Sequence, residues 1–435
     1  MLIKTHFYGA KSKSIINFTK QEILKNIMKK IILGVSVFLS FSASIAQTEF
    51  TTNKEGSDYK FEKIVHLDAT PVQSQGYTGT CWSFSTLSFF ESELIRTGKK
   101  DVSLAEMWIA RFAYLGKADK HIRTGGHTNF DEGGAFTDIP WVIKRYGIVP
   151  VEAYDGLNYG TDKHTHAEMS EMLKGAVKGV VTRMKSLRDS DVLSSSWSIA
   201  LEGILNAYLG TVPTKVEDFE FEVDGKKFNP ITYRDHLGLD MDDYVSITSF
   251  TNHPFYSKCQ LAIADNWTWG YSYNVTMDDL WNTAVNALEN GYTFAWGADV
   301  SEDYFNYRAG LAIVPKDKSL IYVSGKNNKN FSDGGSDKQA SCFDAPTEEE
   351  EITQELRQKG YDGKQTTDDH GMHAVGLYKD QNGTKYLLIK NSWGTSNHCD
   401  GYFYASEAFF KYKTINIFLH KDGVSKSIKK KLDLK

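Results

Sequence analysis

Three short stretches of this 435-residue chain carry side chains that could do covalent chemistry together. The first is Gln75-Gly76-Tyr77-Thr78-Gly79-Thr80-Cys81-Trp82-Ser83-Phe84. The second is Asp369-His370-Gly371-Met372-His373-Ala374-Val375-Gly376, and the third is Lys390-Asn391-Ser392-Trp393-Gly394. A thiol attacks as its thiolate, and the positive end of a helix favours that form. Cys81 stands at the predicted start of a helix, after a glycine-bearing loop that lets the backbone turn sharply. A histidine can take the thiol's proton, and a carboxamide can fix the imidazole's orientation and tautomer.

The elements that must position these groups follow from apolar spacing. Phe84, Leu87, Phe89, Phe90 and Leu94 predict a helix over Cys81–Thr97, with Gly98 at its end. Further helices are expected over Leu104–Tyr114, over Phe136–Tyr146 ended by Gly147 and Pro150, and over Glu168–Arg183, Trp197–Tyr208 and Val275–Asn290. The run Glu348–Glu351, after Pro346, reads as the solvated start of another helix. Tyr292–Ala298 reads as an apolar strand. Ala374–Tyr378 and Tyr386–Lys390 flank the turn Asp380-Gln381-Asn382-Gly383, a β-hairpin pattern, and Gly401–Tyr404 adds a strand. Helices come early and strands late, which predicts an α+β fold with a helical half and a sheet half.

Gln-x5-Cys-Trp-Ser-Phe, a later histidine and Asn-Ser-Trp-Gly resemble, in order, the three signature regions of papain-like cysteine peptidases. Cys-His-Asn is a known variant of the nucleophile–base–orienter triad. The resemblance implies a two-lobe fold, a helical lobe beside an antiparallel sheet lobe. It assigns Cys81 as nucleophile, Asn391 as orienter, Gln75 and the Cys81 backbone N–H as oxyanion donors, and Trp393 as a shield over the His-Asn hydrogen bond. Aligning Gly376 with the glycine closing the family's His-Ala-Val-x-x-Val-Gly segment makes His370 the base, with Gly371 where the family has alanine. Alignment on His373 would slip the strand by three residues and swap its faces. Gly133-Gly134 resembles the pair whose backbone binds substrate as an added strand.

The 289 positions from Cys81 to His370 far exceed the simple papain spacing. This resembles the bleomycin hydrolase and aminopeptidase C branch, which carries a large insertion between the lobes, here about residues 161–290. Trp296-Gly297-Ala298-Asp299 also resembles a strand of that branch. The implied peptidase domain covers about 65–420, with residues 47–64 as a linker. The branch's carboxyl-terminal arm lies in the cleft and restricts cleavage to amino-terminal residues, and its enzymes form homo-hexamers. Here residues 421–435 are a short basic tail with Lys426, Lys429, Lys430, Lys431 and Lys435. That departure leaves three readings open: an aminopeptidase, an open-cleft endopeptidase, and a catalytically silent peptide-binding homologue. Peptide is the expected partner in each, with no cofactor.

Composition sets the outer bounds. Apolar residues at 41% and only 8 prolines describe a chain with a sizeable core. A formal charge of −5 offers no nucleic-acid-binding surface. From Met28, Lys29 and Lys30 precede the apolar run Ile31–Phe41 and the small-residue site Ser44-Ile45-Ala46. This is the pattern of a signal peptide over 28–46, too short to span a bilayer, with 1–27 as a leader and Met28 as the expected translation start. Loss of residues 1–46 takes seven lysines and one glutamate, leaving a mature charge of roughly −11, exported and off the membrane. Beyond Cys81, the remaining thiols are Cys259, Cys342 and Cys399. They are either all free or joined in one bridge, Cys342–Cys399. His164 and His166 are expected on a solvated loop, with no zinc-spaced partners.

Overall fold

The computed structural model describes residues 50–99, 102–188, 191–321 and 341–434; the expected leader 1–27 and signal 28–46 lie outside them. The helices are α1 (Cys81–Arg96), α2 (Glu106–Arg123), α3 (Asp138–Tyr146), α4 (Ala167–Met184), α5 (Ser196–Leu209), α6 (Pro230–Leu237), α7 (Met277–Glu289), α8 (Gln354–Asp362), α9 (Glu407–Lys413) and α10 (Lys426–Leu432). Strands β1 (Phe50–Thr51), β2 (Phe61–His66), β3 (Phe221–Val223), β4 (Lys226–Phe228), β5 (Tyr244–Thr248), β6 (Ser257–Gln260) and β7 (Tyr271–Asn274) precede α7 or lie among the earlier helices. Strands β8 (Phe294–Ala298), β9 (Phe305–Asn306), β10 (Leu311–Ala312), β11 (His370–Lys379), β12 (Lys385–Lys390), β13 (Tyr402–Ser406) and β14 (Thr414–His420) follow it. The chain is α+β, as its element order predicts.

Helix α1 lies between the helical core and the sheet. Cys81 through Leu94 are all buried, so its apolar stripe widens to the whole circumference. Its polar side chains are satisfied locally: Ser83 Oγ donates to the Glu106 carbonyl at 2.9 Å and Thr86 Oγ1 to the Trp82 carbonyl at 2.7 Å. The helix closes at Thr97, with Gly98 at φ 87°.

The main sheet runs β6-β7-β5-β14-β8-β11-β12-β13-β10-β9, with β2 beside the second half of β11 and β1 on β2. It is mixed: β5–β7 and β10–β13 pair in parallel, correcting the expectation of a wholly antiparallel sheet. Each parallel pair joins strands that are not chain neighbours, which a hairpin cannot do. Both faces are covered. On β8, Ala295 joins the α1 core while Phe294, Trp296 and Ala298 join the core beneath α7 and α10. That alternation is the two-residue period of a strand.

Two expectations need correction. Residues 47–64 are no linker: β1 and most of β2 lie there, and Phe61 is fully buried, stacked on Tyr404 at 3.9 Å. Residues 161–290 pack with the rest of the domain: α4, α5 and α6 build the helical core while β5, β6 and β7 extend the sheet. Glu348–Glu351 precedes the helix: α8 starts at Gln354, capped by Thr353. Glu349 is instead half-buried, accepting from Val314 N–H at 2.7 Å and Ser406 Oγ at 2.6 Å. The basic tail docks on the sheet's α7 side: α10 buries Ile428 and Leu432, and Asn286 Nδ2 ties α7 to the Gly423 carbonyl at 2.7 Å. The four cysteines are free thiols, which closes the Cys342–Cys399 alternative.

Candidate active site

Cys81 is the first residue of α1, and the loop before it is bound to the third stretch. Gln75 N–H donates to the Ser392 carbonyl at 2.9 Å and Gly394 N–H to the Gln73 carbonyl at 3.2 Å. On its other side the loop passes close to the backbone of His164, which Gly76 makes possible. At φ 63° any Cβ there would sit 2.3 Å from the His164 carbonyl oxygen. The sequence therefore places two distant stretches side by side through backbone pairing, before any side chain is considered.

The other wall is the start of β11 and the end of β12, paired as His373 opposite Lys390. His370 Nε2 lies 2.7 Å from Asn391 Oδ1, and the Trp393 ring stacks on the imidazole at 4.6 Å and 24°. Both His370 and Asn391 are buried, at 5% and 3% exposure. With Nε2 committed to Asn391, Nδ1 is the nitrogen left for proton exchange with a thiol. Cys81 and His370 line the same groove of about 300 Å³, together with Gln75, Gly133, Gly134 and Trp393. No hydrogen bond joins Sγ to the imidazole; the sulfur accepts from Gly371 N–H at 3.5 Å. Such contacts are often long in an empty site and tighten around substrate.

His373 belongs elsewhere. It is fully buried behind the groove, with Nδ1 2.9 Å from Ser88 Oγ on α1 and its ring against Phe89. Gln75 is held at both ends: Nε2 donates to the Thr78 carbonyl at 2.7 Å and Oε1 accepts from Ser392 Oγ at 2.7 Å. The loop bearing Gly133 and Gly134 is clamped from beneath. Lys117, 2% exposed, donates to the Asp131 and Gly133 carbonyls at 2.6 Å each, and Trp82 Nε1 to the Glu132 carbonyl at 3.1 Å. A Cβ on Gly134 would lie 2.6 Å from the Trp82 ring. His166, expected on a solvated loop, is buried at the start of α4, with Nδ1 3.4 Å from Tyr114 Oη. Among the described residues no cluster of three or more His, Cys, Asp or Glu is placed to hold a metal ion.

Electrostatics run against a lone thiolate. Burial pushes the Cys81 thiol up to about 12; the Gly371 N–H opposes this, and the charges of Asp368 and Asp265 reinforce it. The helix start therefore does not lower this thiol as the sequence predicts, because desolvation outweighs it. Burial likewise holds His370 down to about 4, with Asn391 pulling the other way. Either charge alone is disfavoured, whereas a proton passed from sulfur to Nδ1 creates two opposite charges that support each other. A larger depression of about 910 Å³, along Thr276–Asp278 and Glu349–Glu355, holds no cysteine or histidine.

Reading the sequence missed Ser392 as the anchor of Gln75, Lys117 as the clamp of the glycine loop, and the groove carboxylates Asp265 and Asp368. Ser392 sat inside a stretch already singled out, so its position was visible. Asp265 reaches the groove, and Lys117 the loop that borders it, only through the fold.

The chain matches the Peptidase C1-like family over residues 115–317 and the papain family of cysteine proteases over 343–417. It is 26% identical over 429 residues to aminopeptidase C of Listeria innocua serovar 6a, covering 90% of each chain. It is 23% identical to aminopeptidase C of Lactococcus lactis subsp. cremoris, covering 84% of each. In structure it resembles pepW from Lactobacillus rhamnosis, with a TM-score of 0.66 at 19% identity over 97% of this chain and 95% of that one.

Proposed function

Because this chain is a papain-like cysteine peptidase of the Peptidase C1-like family, we propose that it removes residues from the amino end of peptides through an acyl-enzyme on Cys81. The observation that carries the reading is His370 Nε2 fixed on Asn391 Oδ1 at 2.7 Å, under Trp393, in one groove with Cys81. In this reading the Cys81 proton moves to His370 Nδ1 as sulfur attacks the substrate carbonyl. Gln75 Nε2 and the Cys81 N–H receive the developing oxyanion, a contribution of order 3 kcal/mol per donor in related sites. The imidazolium then protonates the leaving amine, and the same nitrogen draws a proton from water to release the acyl group. Asn391 holds the ring's tautomer, Trp393 keeps water from that hydrogen bond, and the Gly133-Gly134 backbone pairs with the substrate strand.

The aminopeptidase specificity draws support from the relatives named aminopeptidase C, whose lengths this chain matches almost end to end. The test is turnover of leucyl-coumarylamide against the same compound capped at its amino group. Preference for the free amine is expected; preference for the capped peptide would make this an endopeptidase. Export is part of the same reading, supported by the signal pattern at residues 28–46.

A further inference from the structure

The groove wall near Cys81 is acidic in a way that the acyl-transfer steps do not use. Asp265, Asp368 and Asp369 line it, and among the described residues no lysine or arginine does. Two of the three have hydrogen-bond partners: Asp265 accepts from Asn129 Nδ2 at 2.9 Å, and Asp369 accepts from Thr367 Oγ1 at 2.6 Å and hydrogen-bonds the Asp299 carboxyl. Asp368 makes no hydrogen bond or ion pair among the described residues. A second observation is independent of the carboxylates. Asn416 on β14 is 7% exposed and lines the same groove. Its Nδ2 is spent on Ser246 Oγ at 2.9 Å, while no donor reaches its Oδ1 among the described residues. That oxygen occupies the space a side chain at Gly297 would need, 2.8 Å from the would-be Cβ.

Asp368 is half-buried, and neither its carboxyl nor Asn416 Oδ1 is sealed from the groove, so both acceptors are open to a ligand that supplies hydrogens. A carboxylate and a carboxamide oxygen together match an ammonium group, which donates three times and carries the complementary charge. We propose that Asp368 and Asn416 Oδ1 form the cation-recognition end of the groove, and that their ligand is the free α-amino group of the peptide's first residue. The proposal rests on the peptidase reading and specifies which end of the substrate it recognises. Proximity favours the α-amino group over a lysine or arginine side chain. Asp368 stands two residues before His370 and lines one groove with it and Cys81, and the α-amino nitrogen is two bonds from the attacked carbonyl carbon. Burial and the neighbouring carboxylates hold the empty Asp368 up to about 8, so an arriving cation replaces a proton there. No residue of 421–434 lines the groove, so the described part of the tail does not supply this recognition.

The test reads binding without turnover. Leucinamide, N-acetyl-leucinamide and N-acetyl-lysinamide are titrated calorimetrically into Cys81→Ala protein, with and without Asp368→Asn. Leucinamide should bind about tenfold or more tightly than its acetylated form, the scale of one charge-assisted hydrogen bond. Asp368→Asn should erase that difference and leave N-acetyl-leucinamide unchanged. Preference for N-acetyl-lysinamide alone would make the ligand a basic side chain and overturn the assignment. Equal binding of all three in the Cys81→Ala protein itself would overturn the cation site, whether or not the second substitution folds. Turnover of leucyl-coumarylamide by the unaltered protein is measured in parallel. Selective binding without turnover counts against the peptidase reading alone, and turnover without selectivity counts against this inference alone.

Discussion

His370 and His373 stand three residues apart on β11, and their surroundings differ completely. One shares a groove with Cys81 and is held by Asn391; the other is sealed behind α1 against Ser88. Replacing His370 with Ala should lower kcat by about 10²–10⁴-fold, the usual worth of general acid–base catalysis. Replacing His373 with Ala should leave most of the activity and cost thermal stability of about 1–3 kcal/mol, since it strips a buried hydrogen-bond partner. Steady-state kinetics and thermal melts of both variants check the pair. Gln75→Ala should cost about 10²-fold or more in kcat. Ser392→Ala, which only frees Gln75 Oε1, should cost less, with KM nearly unchanged. Much at this scale was legible in the sequence: the chemistry of Cys81, His370 and Asn391 is written in their types, and β11 separates the two histidines by parity. What was not legible is contact across the fold. Nothing near Asp368 in the sequence tells that Asn416 shares its groove, because the two meet only when β14 enters the sheet.

At the scale of elements, α1 and the end of β12 are joined by a buried polar chain. Lys390 Nζ donates to Ser88 Oγ at 2.7 Å and to Thr70 Oγ1 at 2.9 Å, and Thr70 Oγ1 in turn hydrogen-bonds Glu91. This chain ties the residue before Asn391 to the helix that begins with Cys81. Glu349 sets a pH signature of the fold. Burial raises its carboxyl from the ordinary 4.5 to about 7, so the folded chain holds this proton more tightly than the unfolded one. Its contribution to stability is therefore full below about pH 4.5 and is lost as pH rises through 7. Glu349→Gln should flatten the melting temperature across that window, as calorimetry from pH 4 to 8 would show; an unchanged slope would contradict the assignment. Helices with regular apolar spacing were readable to within a few residues, except that α2 runs on past the expected Tyr114 to Arg123. Strand β2 and helix α10 were not, for one reason: each is anchored by one or two apolar residues, such as Phe61 or Ile428 and Leu432, among charged ones. The acidic run at Glu348 misled because charge suggests solvent, while Glu349 finds its donors inside.

For the whole molecule, one sheet covered on both faces carries two walls of one groove, α1 on one side and the β11–β12 edge on the other. The docked α10 puts residues 426–432 on the α7 side of that sheet, and none of them lines the groove. The export reading predicts a mature protein beginning near Gln47, checked by amino-terminal sequencing of the secreted material; retention of Met1 would contradict it. Light scattering reads assembly, and six chain masses is what the family resemblance implies. The central claim is that Cys81 reacts because His370 can take its proton. Its most direct measurement is labelling by an epoxide inhibitor of papain-like thiols under reducing conditions, with the adduct located by mass spectrometry. One label per chain on Cys81, lost in His370→Ala and kept in His373→Ala, is the predicted result. An unlabelled Cys81, or labelling that ignores His370, would contradict it.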